Sequence, residues 1–94
     1  MTPGTSGPVA ERFARNLVRA RGSTDLSQEE LAFRASLHRT EVGLLERGER
    51  TPRIDTLAKL AGALGVEPTA LLDGIAWDPG DYRRGGFVEK GGEG

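Results

Sequence analysis

The side chains most clearly suited to bind a ligand in this chain of 94 residues belong to three arginines around a glycine turn: Arg47, Arg50 and Arg53. A guanidinium group presents a planar fork of N–H donors that matches a phosphate group in a bidentate way. Three such groups within seven residues predict a clamp that holds phosphates. Loop charges that are merely solvated are the alternative interpretation.

A second set of side chains stands just before these arginines. Arginine can donate two hydrogen bonds to guanine O6 and N7, and a threonine methyl group can contact a thymine methyl group. We therefore predict that Arg39 and Thr40 contact base edges, that His38 reaches a base or a phosphate, and that Leu44 is an exposed residue against thymine methyl groups. The alternatives are a solvated charge for Arg39, a cap or turn role for His38 and partial core burial for Leu44.

Two short helices joined by a tight turn are predicted to position these side chains within residues 26–52. Ser27 and Glu30, three residues apart, form a capping box that fixes the start of the first helix. The second helix spans roughly Arg39 to Arg47 and ends at Gly48, a residue suited to a left-handed cap. This arrangement is a helix-turn-helix, whose second helix can lie in the major groove of DNA.

Three more helices are predicted from apolar spacing and from the positions of proline and glycine. Helix 1 begins at Pro8 and ends near Gly22, helix 4 ends at Gly65, and Pro68 opens a short helix 5. The inward face of helix 4 is predicted to carry Ile54, Leu57, Leu60, Ala61 and Leu64. The fold class is therefore all-α, a compact domain of five helices.

We divide the chain into a disordered tail over residues 1–7, a helical domain over residues 8–75 and a C-terminal tail over residues 76–94. The C-terminal tail contains turn signals and a possible short strand around Gly86 to Glu89. The apolar residues at its start and within it are Ile75, Trp77, Tyr82, Phe87 and Val88. This segment folds back on helices 4 and 5 or pairs with a second copy of itself; a flexible tail is the alternative.

The charge is polarised along the chain. Residues 1–53 contain nine arginines, no lysine and seven acidic residues, which gives +2. Residues 54–94 contain four basic and seven acidic residues, which gives −3 and restores the net charge of −1. Since phosphate neutralisation supplies much of the affinity of a DNA-binding protein, any basic surface here must be local.

The composition excludes several kinds of site. The chain has no cysteine and one histidine, so disulfides and thiolate zinc sites are impossible and a metal site is not expected. No nucleophile stands beside a base and no glycine loop cradles a phosphate, so we expect neither an enzyme nor a cofactor. We also expect a cytoplasmic protein without a membrane partner, since no apolar run is long enough to span a membrane and the N-terminus does not resemble a signal peptide.

Four motifs at compatible spacing resemble the phage lambda repressor and Cro family, the XRE-type helix-turn-helix regulators of bacteria. The motifs are SQEELA at residues 27–32, LHRT at 37–40, LERG at 45–48 and the Leu-x-x-Leu-Ala of helix 4. The resemblance covers residues 9–75. It implies a repressor that binds a pseudo-palindromic DNA operator as a homodimer at the bacterial nucleoid, with helix 5 and the C-terminal tail as the expected dimer surface.

The resemblance also implies roles for individual residues. Gln28 matches the glutamine that contacts a phosphate, and Ser27 lies at the same helix N-terminus, where its role is a phosphate contact or capping alone. Arg21 and Glu46 match a structural salt bridge between helices 1 and 3. Asp25 stands where the family usually has a glycine between helices 1 and 2. A protein-interaction module on the same scaffold, such as an antitoxin-like partner, is the alternative function.

Overall fold

Five helices and a two-stranded antiparallel sheet form the protein, and the computed structural model describes residues 6–81 and 84–90. In chain order the elements are α1 (Pro8–Gly22), α2 (Gln28–Arg34), α3 (Arg39–Glu46), α4 (Ile54–Leu64), α5 (Pro68–Leu71), β1 (Ile75–Asp78) and β2 (Gly86–Glu89). This order confirms the predicted all-α domain with a short strand-forming segment after it. No helix in the described ranges is long and apolar enough to cross a membrane.

The hydrophobic core joins all five helices, because each contributes at least one fully buried side chain. These include Phe13 and Leu17 of α1, Leu31 of α2, Val42 and Leu45 of α3, Leu60 of α4, and Leu71 of α5. Burial of each large apolar side chain contributes roughly 1.5–3 kcal/mol. Asn16 is a buried polar residue in this core, and its amide donates to the carbonyls of Leu71 and Asp73, both at 2.9 Å. The core therefore fixes the helix-turn-helix against the other three helices.

The helix-turn-helix begins and ends at the predicted caps. The Ser27 hydroxyl accepts from the Glu30 backbone N–H at 3.0 Å, and the Glu30 carboxylate accepts from the Ser27 N–H at 2.8 Å. This geometry confirms the capping box. Gly48 follows α3 with a φ of 73°, which confirms the left-handed cap.

In the turn between α2 and α3, a residue other than glycine adopts the left-handed backbone conformation. Ser36 has a φ of 56° and is the one such residue in the described ranges, so Asp25 does not adopt this conformation. The backbone N–H groups of Ser36 and Leu37 donate to Phe33 and Ala32, at 3.2 and 2.8 Å. These two bonds form a Schellman motif, whose left-handed position favours glycine. The turn therefore holds Ser36 in a costly conformation in order to set the angle between α2 and α3.

The apolar face predicted for α4 is wrong at its first residue. Ile54 is 84% exposed, whereas Leu60, Ala61 and Leu64 are buried and Leu57 is partly buried. Ile54 opens the helix, so no preceding turn of α4 covers it and its side chain extends beyond the packed face. Phe33 of α2 is 85% exposed and was not singled out by the sequence.

The C-terminal strands form a hairpin that packs against α1. Ile75 pairs with Glu89, and Trp77 pairs with Phe87 through an edge-to-face ring contact at 5.0 Å. The Glu89 carboxylate lies 2.6 Å from the Arg15 guanidinium of α1. The hairpin therefore contacts chiefly α1 and not helices 4 and 5, which corrects that part of the expectation; pairing with a second copy stays a prediction.

Three sequence-based assignments fall wholly or partly outside the described residues. This group consists of residues 1–5 of the predicted N-terminal tail, Tyr82, and residues 91–94 of the predicted C-terminal tail. Ser6 and Gly7, the rest of that tail, precede α1 and are described.

Ser36→Gly should stabilise the fold by about 0.5–1 kcal/mol, because glycine removes the left-handed penalty and loses part of this gain through its greater freedom in the unfolded chain. Urea unfolding should show a higher midpoint with an unchanged slope. Asp25→Gly is the matched control and should bring no gain. If both substitutions destabilise the protein equally, the turn is not strained at Ser36.

Candidate nucleic-acid interface

A carboxylate with almost no solvent exposure joins the three helices that precede the loop. The Glu46 side chain is 5% exposed and accepts two hydrogen bonds from Arg21 of α1, at 2.7 and 3.0 Å. Arg21 also donates to the Leu26 carbonyl at 3.1 Å, ahead of α2. Gln28, the first residue of α2, donates its amide to Glu46 at 2.8 Å. The Glu46 carboxylate thus sets the positions of α1, α2 and α3 relative to one another.

The ionisation of Glu46 follows from these contacts. Burial by itself would raise the pKa of Glu46, but hydrogen bonds from Arg21 and Gln28 and the Arg21 charge together lower that pKa below the usual value. The hydrogen bond to Glu46 and the charge of Glu46 raise the pKa of Arg21 despite its partial burial. The charged form of the pair is therefore the stable one in the folded protein.

The N-terminus of α3 presents two polar side chains to solvent. Arg39 and Thr40 are exposed, and their helix is capped by His38, whose Nδ1 accepts from the Thr40 N–H at 3.1 Å. His38 thus has the cap role that the sequence offered as one of two alternatives. Its imidazole is exposed at the same helix end.

An open cleft of about 580 Å³ runs between α2 and α3. It is lined by Arg21, Ser27, Gln28, Glu29, Arg39, Thr40, Gly43 and Arg47, and we refer to these residues as the interface cleft. The structure therefore brings together, on one surface, six residues that the sequence singled out on separate grounds. Three of the cleft residues are arginines, whose guanidinium groups can donate hydrogen bonds to phosphate.

Gly43 forms the floor of the interface cleft. It is buried, and a Cβ atom placed on it would lie 3.1 Å from the Arg47 guanidinium and 3.9 Å from the Gln28 carbonyl oxygen. The missing side chain therefore gives Arg47 room to lie back across α3.

Leu44 does not have the exposed position that the sequence predicted. It is half-buried and does not line the interface cleft. Successive residues of an α-helix are about 100° apart, so the stripe through Arg39, Gly43 and Arg47 leaves Leu44 beyond its edge. The partial burial that the sequence offered as the alternative is the observed state.

The loop arginines divide between two sides of α3. Arg47 lies in the interface cleft, with its Nε 2.6 Å from the Glu49 carboxylate. Arg50 pairs with Glu41 at 2.8 Å, and Glu41 is about 200° around the helix from Gly43. Arg50 therefore flanks α3 on the side away from the cleft.

Two other predicted arginines form longer ion pairs. Arg53 precedes α4 and lies 3.4 Å from Asp55, and it does not line the interface cleft. Arg39 lies 3.9 Å from Glu29, across the cleft. These acidic partners carried no signal in the sequence, because side chains as long as arginine can reach several neighbours.

The segment before α1 contacts the same loop. The Ser6 backbone N–H donates to the Gly48 carbonyl at 2.8 Å, and the Ser6 hydroxyl donates to the Glu49 carbonyl at 2.7 Å. No sequence pattern indicated this contact, since it joins residues 43 positions apart. The start of the described chain therefore lies beside the arginine-bearing loop.

Comparison with known proteins gives consistent matches. A family model described as Helix-turn-helix matches residues 17–71. The control protein C.BamHI of Bacillus amyloliquefaciens is 48% identical over 50 residues, which span 53% of this chain and 62% of that relative. The control protein C.SmaI of Serratia marcescens is 42% identical over 64 residues, which span 68% of this chain and 76% of the relative. The matched region thus contains the whole helix-turn-helix.

A solved structure shares the fold. The restriction-modification controller protein C.AhdI from Aeromonas hydrophila superposes with a TM-score of 0.64 and 42% sequence identity. The superposition covers 66% of this chain and 90% of that one. About a third of this chain therefore lies outside the region that superposes on C.AhdI.

Glu46→Gln should destabilise the protein by about 3 kcal/mol at neutral pH, because Arg21 would lose its ionic partner in a largely buried position. The lowered pKa of Glu46 means that the ion pair stabilises the fold above the ordinary carboxyl pKa. This stabilisation disappears as the pH falls through the folded-state pKa. Urea unfolding at neutral and acidic pH should therefore show a difference between the two proteins that shrinks in acid.

Glu67→Gln, at an exposed carboxylate before α5, is the matched control and should change stability by less than about 0.5 kcal/mol. A wild-type-to-Glu46→Gln difference that stays constant from neutral to acidic pH would contradict the role of the charged pair.

Proposed function

The chain belongs to the XRE-type helix-turn-helix family of DNA-binding transcription regulators, which are not enzymes, and from this membership we propose that it binds a pseudo-palindromic operator as a homodimer. In this proposal α3 enters the major groove and the bound protein represses transcription from an overlapping promoter. The interface cleft is the observation that carries the proposal, because it gathers base-reading and phosphate-binding side chains on one surface. Such a protein would act at the nucleoid.

Base recognition is proposed for the N-terminal end of α3. Arg39 and Thr40 are exposed there, and the His38 cap fixes the backbone that carries them. Arg39 can bind guanine in a bidentate way and Thr40 can contact a thymine methyl group. His38 has its exposed imidazole at the same end and can contact a phosphate or base edge.

Phosphate contacts are proposed on both sides of α3. Ser27, Gln28 and Arg47 line the cleft at the N-terminus of α2, where backbone N–H groups also attract anions. Arg50 lies on the opposite side, and Arg53 follows it in the loop before α4. A helix flanked in this way can sit in the major groove with its flanks toward the phosphates of the two strands.

The regulated genes are proposed to belong to a restriction-modification system. C.BamHI and C.SmaI are named control proteins, and C.AhdI is a restriction-modification controller protein. Identities of 42–48% across the helix-turn-helix support a regulator of this kind.

A dimer surface is proposed at α5 and the C-terminal hairpin. Leu72, Trp77, Phe87 and Val88 are between 39% and 56% exposed, which is unusual for large apolar side chains. The outer edge of each strand in the two-stranded sheet can also accept a strand of a second copy. Such a dimer would present two recognition helices about 34 Å apart.

Arg39→Ala should cost roughly 1–3 kcal/mol in binding to the preferred site and relax the base preference at one position.

Arg50→Ala should weaken binding to all duplexes alike and reduce the salt dependence by about one unit of slope. Titration of labelled duplexes by fluorescence anisotropy at several salt concentrations measures both effects. Arg84→Ala, an equal loss of charge on the hairpin, should change neither quantity.

Each of these variants can contradict its assignment. An equal loss on every sequence for Arg39→Ala would make Arg39 a phosphate contact. An unchanged salt slope for Arg50→Ala would remove Arg50 from the interface. Absence of any salt-dependent duplex binding by the wild-type protein would contradict the proposed function itself.

Replacement of Trp77 and Phe87 by serine should raise the dimer dissociation constant about 10-fold or more, because buried aromatic side chains dominate protein interfaces. Sedimentation equilibrium measures this change, and circular dichroism checks that the helices persist. Phe33→Ser is the matched control, since Phe33 is a more exposed aromatic residue on α2. An unchanged dimer, or an equal effect of the control, would exclude the hairpin from the interface.

A further inference from the structure

Each arginine of the proposed DNA-binding face has a carboxylate within 4 Å. The pairs are Arg21 with Glu46, Arg39 with Glu29, Arg47 with Glu49, Arg50 with Glu41, and Arg53 with Asp55. The charges of these side chains cancel. A face proposed to bind a polyanion is therefore almost neutral where its arginines lie, although the first half of the chain carries +2.

Three of these carboxylates are too exposed to matter much for the fold. The side chains of Glu29, Glu49 and Asp55 are 75%, 38% and 59% exposed. Surface ion pairs of this kind contribute only about 0–1 kcal/mol to stability. Glu46 is different because it is buried, and Glu41 is intermediate at 23% exposure. The exposed acids are thus free to serve binding rather than folding.

A phosphate group must compete with these carboxylates for the same guanidinium groups. The Arg47 Nε already donates to Glu49 at 2.6 Å, a distance typical of a charge-assisted hydrogen bond. If a phosphate displaces Glu49, the freed carboxylate lies beside the DNA and repels it or recruits a cation. Each such exchange reduces the net release of counterions that drives non-specific binding.

We propose that Glu29, Glu49 and Asp55 keep the non-specific DNA affinity of this protein low by pairing with the arginines that phosphate would otherwise bind on any DNA. This inference rests on the proposed function. A duplex with the wrong sequence offers only phosphates. On such a duplex each arginine merely exchanges its carboxylate partner for a phosphate, another anion. The preferred site adds base contacts from Arg39 and Thr40, and these supply the affinity that the exchange does not. The acids thus lower the affinity for every duplex, and only a site that supplies the base contacts is bound tightly.

The double variant Glu29→Gln/Glu49→Gln tests this inference, because it keeps side-chain size and removes two competing charges. Asp55 is left in place since its carboxylate also accepts from the Thr56 N–H at 3.0 Å. The variant should bind a scrambled duplex about 5- to 20-fold more tightly at low salt. Its salt slope between about 50 and 200 mM should steepen by roughly one to two units. The affinity ratio between the preferred and scrambled duplexes should change little, because the exchange costs the same on both.

Glu67→Gln/Asp81→Asn is the matched control, since it removes the same charge from exposed positions before α5 and in the hairpin turn. The inference is overturned if the two double variants have equal affinity and equal salt slope, or if Glu29→Gln/Glu49→Gln binds the scrambled duplex more weakly than the wild type. Either result leaves the proposed function intact, provided that the wild-type protein binds its preferred site. A wild-type protein that binds no duplex would instead overturn the proposed function and this inference together.

Discussion

The buried carboxylate of Glu46 is the interaction on which the geometry of the proposed interface depends. It accepts hydrogen bonds from Arg21 of α1 and from Gln28 of α2, and it belongs to the last residue of α3. Because three helices meet at one charged group, a shift of any one of them leaves that charge without full compensation. The same contact also fixes the amide of Gln28 at the edge of the interface cleft.

The other constraints on α3 act at its two ends. Ser36 holds a left-handed turn before the helix, and Gly48 ends it with the same backbone conformation. His38 caps the first turn between them. Rigid placement at both ends and at Glu46 suits a helix that must present Arg39 and Thr40 in one orientation, since binding then orders few additional groups.

Signals within a few residues made parts of this structure predictable from the sequence. The capping box at Ser27, the cap at Gly48 and the strand at residues 86–89 all depend on local backbone chemistry. Ile54 and Leu44 were misplaced because a helical pattern does not show where packing ends. The hairpin contact with α1 and the ion pairs Arg39–Glu29 and Arg50–Glu41 depend on tertiary placement of long side chains, which spacing along the chain does not encode. Contacts between the interface residues and DNA remain predictions.

Selection of bound sequences from random duplex DNA by this protein tests whether the interface cleft and α3 read bases. We expect recovery of a pseudo-palindrome whose half-sites lie about one helical turn apart, or a multiple of it, with defined bases where α3 would lie. A folded protein that enriches no sequence at any salt concentration would contradict the claim that this surface reads DNA.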